Sequence, residues 1–157
     1  MKKLAILVLA LTPHILLAQQ HHPQARVIDG SQHPEQIPDT IAYRMYLLSL
    51  SVPANADAHR LEVQAARVDT LHLDVNDYGH LLDIVQTFRA KHDSIVDRWN
   101  SQARALKDKF NPANLLNEQD DLVAQTQRDL HTLLSTQGFI NVANTVQNEK
   151  RNIQLIQ

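Results

Sequence analysis

The sequence predicts an all-α protein, an antiparallel bundle of about five helices built on one long central helix. Three observations predict it. From Asp77 to Lys109, Tyr78, Val85, His92, Trp99 and Leu106 recur every seven residues, and Leu81, Phe88, Ile95 and Gln102 form a second row at the same interval. On a helix these two rows lie side by side as one stripe. Strand-forming composition is thin, with 4% aromatic residues among many Gln, Asn, Leu and Ala, whereas strands draw on β-branched and aromatic side chains. Two corner signatures of the same grammar, Leu73-Asp74 before Tyr78 and Leu134-Ser135 before Phe139, pair a helix cap with a hydrophobic staple.

In chain order, Met1, Lys2 and Lys3 precede the apolar run Leu4 to Leu11, which Thr12, Pro13 and His14 interrupt before Leu16, Leu17 and Ala18. A basic start, a short apolar core and a small residue at a cleavage position describe a signal peptide over residues 1–18. The run is too short for a membrane anchor, which needs about 20 apolar residues. Cutting after Ala18 leaves 139 residues, with 13 basic against 17 acidic side chains and a formal charge of −4. That balance argues against nucleic acid as a partner, and no later run reaches membrane length. With no cysteine in an exported chain, stability has to come from packing.

Residues 19–37 show no period and read as an irregular leader with a turn at Asp29-Gly30. The bundle domain is expected over 38–157. Pro38 suits the first position of a helix that runs to Val52 and is stopped by Pro53. Its apolar residues cover more than one face, which places it in the middle of the bundle. A second helix is expected from Asp57 to about Leu73, with Leu61, Ala65, Val68 and His72 on one face. The long helix follows, capped by Asp74, with Asp77 as the return acceptor of a capping box, and ends near Phe110. Asn111-Pro112 opens a fourth helix to Leu134, with Asn117 and Asp120 as a second start, and Leu116, Val123 and Leu130 stand seven apart with Leu133 below them. Ser135 caps a fifth, whose stripe of Phe139, Val142, Val146, Ile153 and Ile156 reaches almost to the end of the chain.

The segments Val27-Ile28-Asp29-Gly30-Ser31, Pro34-Glu35, Ile37-Pro38-Asp39 and Ala42-Tyr43-Arg44 resemble the N-terminal region of a group of uncharacterised exported helical proteins of bacteria. The resemblance implies export and helicity and carries no activity. Leu134-Ser135-Thr136-Gln137 departs from the Leu-Thr-x-x-Gln opening of periplasmic stress chaperone helices, with serine for threonine and glutamine one residue early.

One constellation carries specific chemistry. A chain cut after Ala18 begins Gln19-Gln20-His21, and its free amine, two backbone amides and the His21 imidazole form a square-planar set suited to Cu(II) or Ni(II), with His22 adjacent. Asp69-x-x-His72 and Asp77-x-x-His80 have the spacing of di-iron bundle ligands, but both straddle one corner, which favours helix-end histidines. His92 lies on the stripe, where a hydrogen-bonded seam residue is expected, with a pH switch as the functional alternative. His92, Asp93 and Ser94 are consecutive and point in different directions, so they form no relay. The expected function is that of a non-enzymatic interaction or stress-related protein of the cell envelope, in the periplasm or outside the cell. It would bind a protein partner or another copy of itself through amphipathic helices. The alternative is a periplasmic Cu(II) or Ni(II) protein using Gln19, Gln20 and His21.

Overall fold

The computed structural model describes residues 27–106, 109 and 111–156. Five helices make up almost all of it: α1 (Asp39–Leu50), α2 (Ala58–Asp69), α3 (Val75–Leu106), α4 (Ala113–Leu133) and α5 (Thr136–Glu149). The all-α bundle is therefore as the periodicity predicts. At 32 residues α3 spans about 48 Å. α1 touches each of the other four helices, the middle position expected from its broad apolar surface. Its Ala42, Tyr43, Tyr46, Leu47 and Leu50 are buried, while Met45 stays half exposed.

Pro38 is not the first helical residue but the cap before it, with extended backbone, and Ala42 N–H bonds its carbonyl. The last carbonyls of α1 have no partner within the helix, as at any helix end. α2 supplies two: Gln64 donates to the Leu50 carbonyl at 2.7 Å and Arg67 to that of Ser49 at 2.6 Å. α2 itself buries only Gln64 and Val68 and leaves Leu61 49% exposed. It ends at Asp69, earlier than Leu73, because His72 turns to positive φ and breaks the repeat.

Both predicted caps form. Asp74 accepts from Asn76 and Asp77 N–H, and Ser135 Oγ accepts from Gly138 N–H. Asp77, however, does not close a capping box. Its buried carboxylate crosses to the other corner, where Ser135 donates its N–H to Oδ1 at 2.7 Å and its hydroxyl to Oδ2 at 2.5 Å. Asn141 reinforces the junction by donating to the Leu71 carbonyl at 3.0 Å. Gly138 is needed for this approach, since a Cβ there would lie 2.1 Å from Asp77 Oδ2. The two staple corners, far apart in sequence, are thus one joint.

Two expectations at the chain ends are corrected. The fifth helix stops at Glu149; a 3-10 turn (Lys150–Asn152) and a strand β2 (Gln154–Ile156) follow. The leader is not irregular from Val27 onward: Val27–Asp29 forms β1, antiparallel to β2, with Val27 opposite Ile156 and Asp29 opposite Gln154. The predicted turn follows at once, with Gln32 and His33 N–H on the Asp29 carbonyl and Ser31 N–H on its side chain. Gly30 brings the two ends together. It donates to the Ile153 carbonyl at 2.9 Å, and a Cβ on it would sit 1.9 Å from the Lys150 carbonyl oxygen. Ile28, Ile37 and Ile153 are all buried in the core. A pairing between opposite ends of a chain leaves no local period, so Ile153 and Ile156 fit the helical stripe although the turn and strand claim them.

The core runs from the α1 face through Leu81, Ile84, Val85 and Phe88 of α3 to Leu122, Val123 and Leu130 of α4 and Val142 and Val146 of α5. Below it, Lys150 is buried and its Nζ meets Asp39 Oδ1 at 2.5 Å, with Gln147 donating to the same oxygen. These bonds, Lys150 first, hold the Asp39 carboxyl below its ordinary value.

Candidate functional site

The α3 stripe is covered unevenly, and the boundary falls at His92. Five of the six buried residues of α3 lie between Asp77 and Phe88; beyond His92 the sixth, Trp99, stands apart from the main core. α4 runs antiparallel to α3 and mirrors this, since its buried residues begin at Gln119. Stripe positions Leu106 and Leu116, at the same end of the hairpin, are 47% and 51% exposed, and Gln102 is exposed as well. The expectation that Leu116 and Leu106 pack as the seven-residue rows imply is therefore corrected. The pattern runs about one heptad farther on each helix than the helices that could cover it, because α1 is only 12 residues long.

A polar chain marks the boundary. Arg44 of α1 donates to Gln119 Oε1 at 2.5 Å, and Gln119 Nε2 lies 3.4 Å from His92 Nε2. His92 Nδ1 lies 3.3 Å from Asp93 Oδ1, and Arg89 Nε donates to Asp93 Oδ2 at 2.7 Å. The directions agree along the whole chain. Arg44 can only donate, so Gln119 presents oxygen to it and N–H to His92; His92 then accepts at Nε2 and donates from Nδ1 to Asp93. Burial pushes the Asp93 carboxyl up, but the bonds from Arg89 and His92 outweigh it and hold the group below its ordinary value. Phe88 stacks on the His92 ring with centroids 5.9 Å apart. His92 is thus the hydrogen-bonded seam residue its position suggests. Gln119, its partner on α4, carries no motif; its only sequence signal is its place one turn before Val123.

Past this chain, Arg98 and Glu118 form an ion pair across α3 and α4. On the other side of α3, the α1–α2 connection stands off the helix and leaves a groove of about 600 Å³. Pro53, Ala54, Leu61 and Ala90 give it apolar walls, and the Arg89–Asp93 pair also lines it.

The other candidates stand as follows. Gln19, Gln20 and His21 lie outside the described residues. Asp77 is committed to Ser135, Asp69, His72 and His80 are exposed, and no group of three His, Asp or Glu side chains among the described residues could hold a metal. The short Ser135–Asp77 bond ties the cap of α5 to α3, with the Ser135 hydroxyl donating to Asp77 and accepting from Gly138 N–H. His131 stands edge-on to Phe139 at 5.1 Å. Among the described residues no helix is long and apolar enough to cross a membrane. No protein-family model, curated protein or solved structure matches the chain.

Proposed function

We propose that this is a non-enzymatic, exported interaction protein that works by docking the far end of its α3–α4 hairpin against another protein. One observation carries the reading: both helical stripes outrun the core, so Leu106 and Leu116 hold positions that would be buried in a longer bundle yet are half exposed here. Singly exposed leucines are ordinary on protein surfaces. Two at stripe positions on adjacent helices, at one end of the hairpin, are the beginning of a helix-packing surface. The rest of the molecule serves it as a clamp. The corner joint at Asp77 fixes the base of the hairpin, and the Arg44 chain fixes its middle.

The signal-peptide pattern at residues 1–18 supports export, and the absence of cysteine agrees with a fold held by packing. A photo-crosslinking amino acid at position 106 or 116, in cells that produce the protein, tests the reading, with Glu62 on the exposed face of α2 as control. Adducts from 106 and 116 and not from 62 are expected. A chain that migrates alone from both hairpin positions would overturn it.

A further inference from the structure

We infer that the notch between α2 and the end of α1 binds a small amphiphilic acid, with the acid group on Arg60 and Arg67 and the hydrocarbon body on Leu48, Val52 and Val63. The inference is independent of the docking reading above. The notch measures about 320 Å³, at the small end of ligand pockets, which run from about 300 to 1,000 Å³.

The charges of α2 are sided. At about 3.6 residues per turn, Arg60, Val63, Gln64 and Arg67 share one face of the helix, and Glu62 and Asp69 lie on the other. The first face lines the notch, together with Leu48, Val52 and Pro53 from the end of α1. Among the described residues no carboxylate lines it. This local basic excess runs against the chain as a whole, whose formal charge is −2.

The two arginines are also unspent. Asp57, three residues before Arg60, uses its carboxylate on the Arg60 backbone N–H as the cap of α2. Among the described residues neither Arg60 nor Arg67 forms an ion pair. Arg67 is held in place by donating one N–H to the Ser49 carbonyl at 2.6 Å, and a guanidinium has five, so others are left for a ligand. Between the arginines, buried Gln64 is fixed by its bond to the Leu50 carbonyl. Two guanidinium groups with no carboxylate beside them favour an anion and disfavour a cation. Val63, 38% exposed, Leu48 and Val52 supply apolar contact that an inorganic anion would leave unused.

Calorimetric titration of the purified protein with decanoate gives the test. One decanoate should bind per chain. Acetate, which has the head alone, and 1-decanol, which has the body alone, should each bind at least roughly tenfold more weakly. Arg60→Gln is the decisive variant, because the Arg60 side chain makes no bond to the described residues and its loss leaves the helix intact, as circular dichroism can check. It should weaken decanoate roughly tenfold, Arg60→Lys should weaken it less, and Glu62→Gln on the opposite face should leave it unchanged. Cosedimentation with phosphatidylglycerol vesicles separates a lipid headgroup from a free acid. Retention that Arg60→Gln abolishes, without decanoate binding, assigns the acid to a membrane lipid; decanoate binding without retention assigns it to a free molecule. A wild type that takes up neither, decanoate binding that Arg60→Gln leaves unchanged, or decanol bound as tightly as decanoate would overturn the inference.

Discussion

The half of α3 before His92 and the half after it carry the same seven-residue pattern and lead different lives. In the first half, Leu81, Val85 and Phe88 are at most 1% exposed and share a core with α1, α4 and α5. In the second, the same rows supply Ile95, Trp99, Gln102 and Leu106, and only Trp99 is buried. What differs is cover: α1 spans about 18 Å against about 48 Å for α3. A stripe is a request for partners, and the length of the neighbours decides how much of it is met inside one chain.

The sharpest way to break this comparison is truncation at equivalent stripe positions. Phe88→Ala should cost about 3–5 kcal/mol in urea unfolding, whereas Leu106→Ala should stay within about 0.5 kcal/mol when measured on dilute protein. Similar losses at both sites would mean that the far half is as well covered as the near one.

Next in size is the joint that anchors the covered half. Asp77→Ala should cost about 1.5–3 kcal/mol, because it removes charge-assisted bonds to Ser135 that are shielded from water. Gly138→Ala should also destabilise, since its new methyl meets the Asp77 carboxylate. Combining the two should cost less than their sum, because the clash disappears with the carboxylate. Strict additivity in that cycle would rule out the contact.

A smaller effect tests the base of the bundle by pH. The Asp39 carboxyl is held below its unfolded value by Lys150 and then Gln147, so the charged form favours the fold. Its contribution is complete above the ordinary carboxylate range and disappears as pH falls through the lowered value. Asp39→Asn should therefore destabilise at neutral pH by about 1 kcal/mol, chiefly by leaving buried Lys150 without its counter-charge, and should flatten the acid side of the stability curve. An unchanged acid limb in urea midpoints would remove the pair from the account.

The smallest effect is spectroscopic. Neutral His92 should hold its proton on Nδ1, as the one-way run from Arg44 through Gln119 to Asp93 demands, and nitrogen chemical shifts of the ring report this directly. A proton on Nε2 would show that Gln119 does not bridge the helices at the boundary. Gln119→Leu should then leave the ring unchanged rather than release it.

Sequence alone determined the features that depend on near neighbours along the chain. The long stripe called for a helix, Asp57, Asp74 and Ser135 stop backbone N–H groups from going unpaired at helix starts, and Pro53 rules out continuing α1. His92 at a seam position called for hydrogen bonds, which it makes. Of the candidate site, Leu106 and Leu116 were legible as stripe residues, but not as exposed ones.

Exposure, like every other feature the sequence left open, was decided by contacts between distant parts of the chain. Asp77 reads as a local capping residue and instead holds Ser135; Ile153 and Ile156 fit a helical period and are drawn into the turn and strand opposite Val27 by Gly30; Gln119 carries no motif and bridges Arg44 to His92. The physical reason is the same in each case. Period and capping are set by covalent spacing, which a sequence displays, whereas a bond across tens of residues forms only after packing has brought its two ends within about 3 Å.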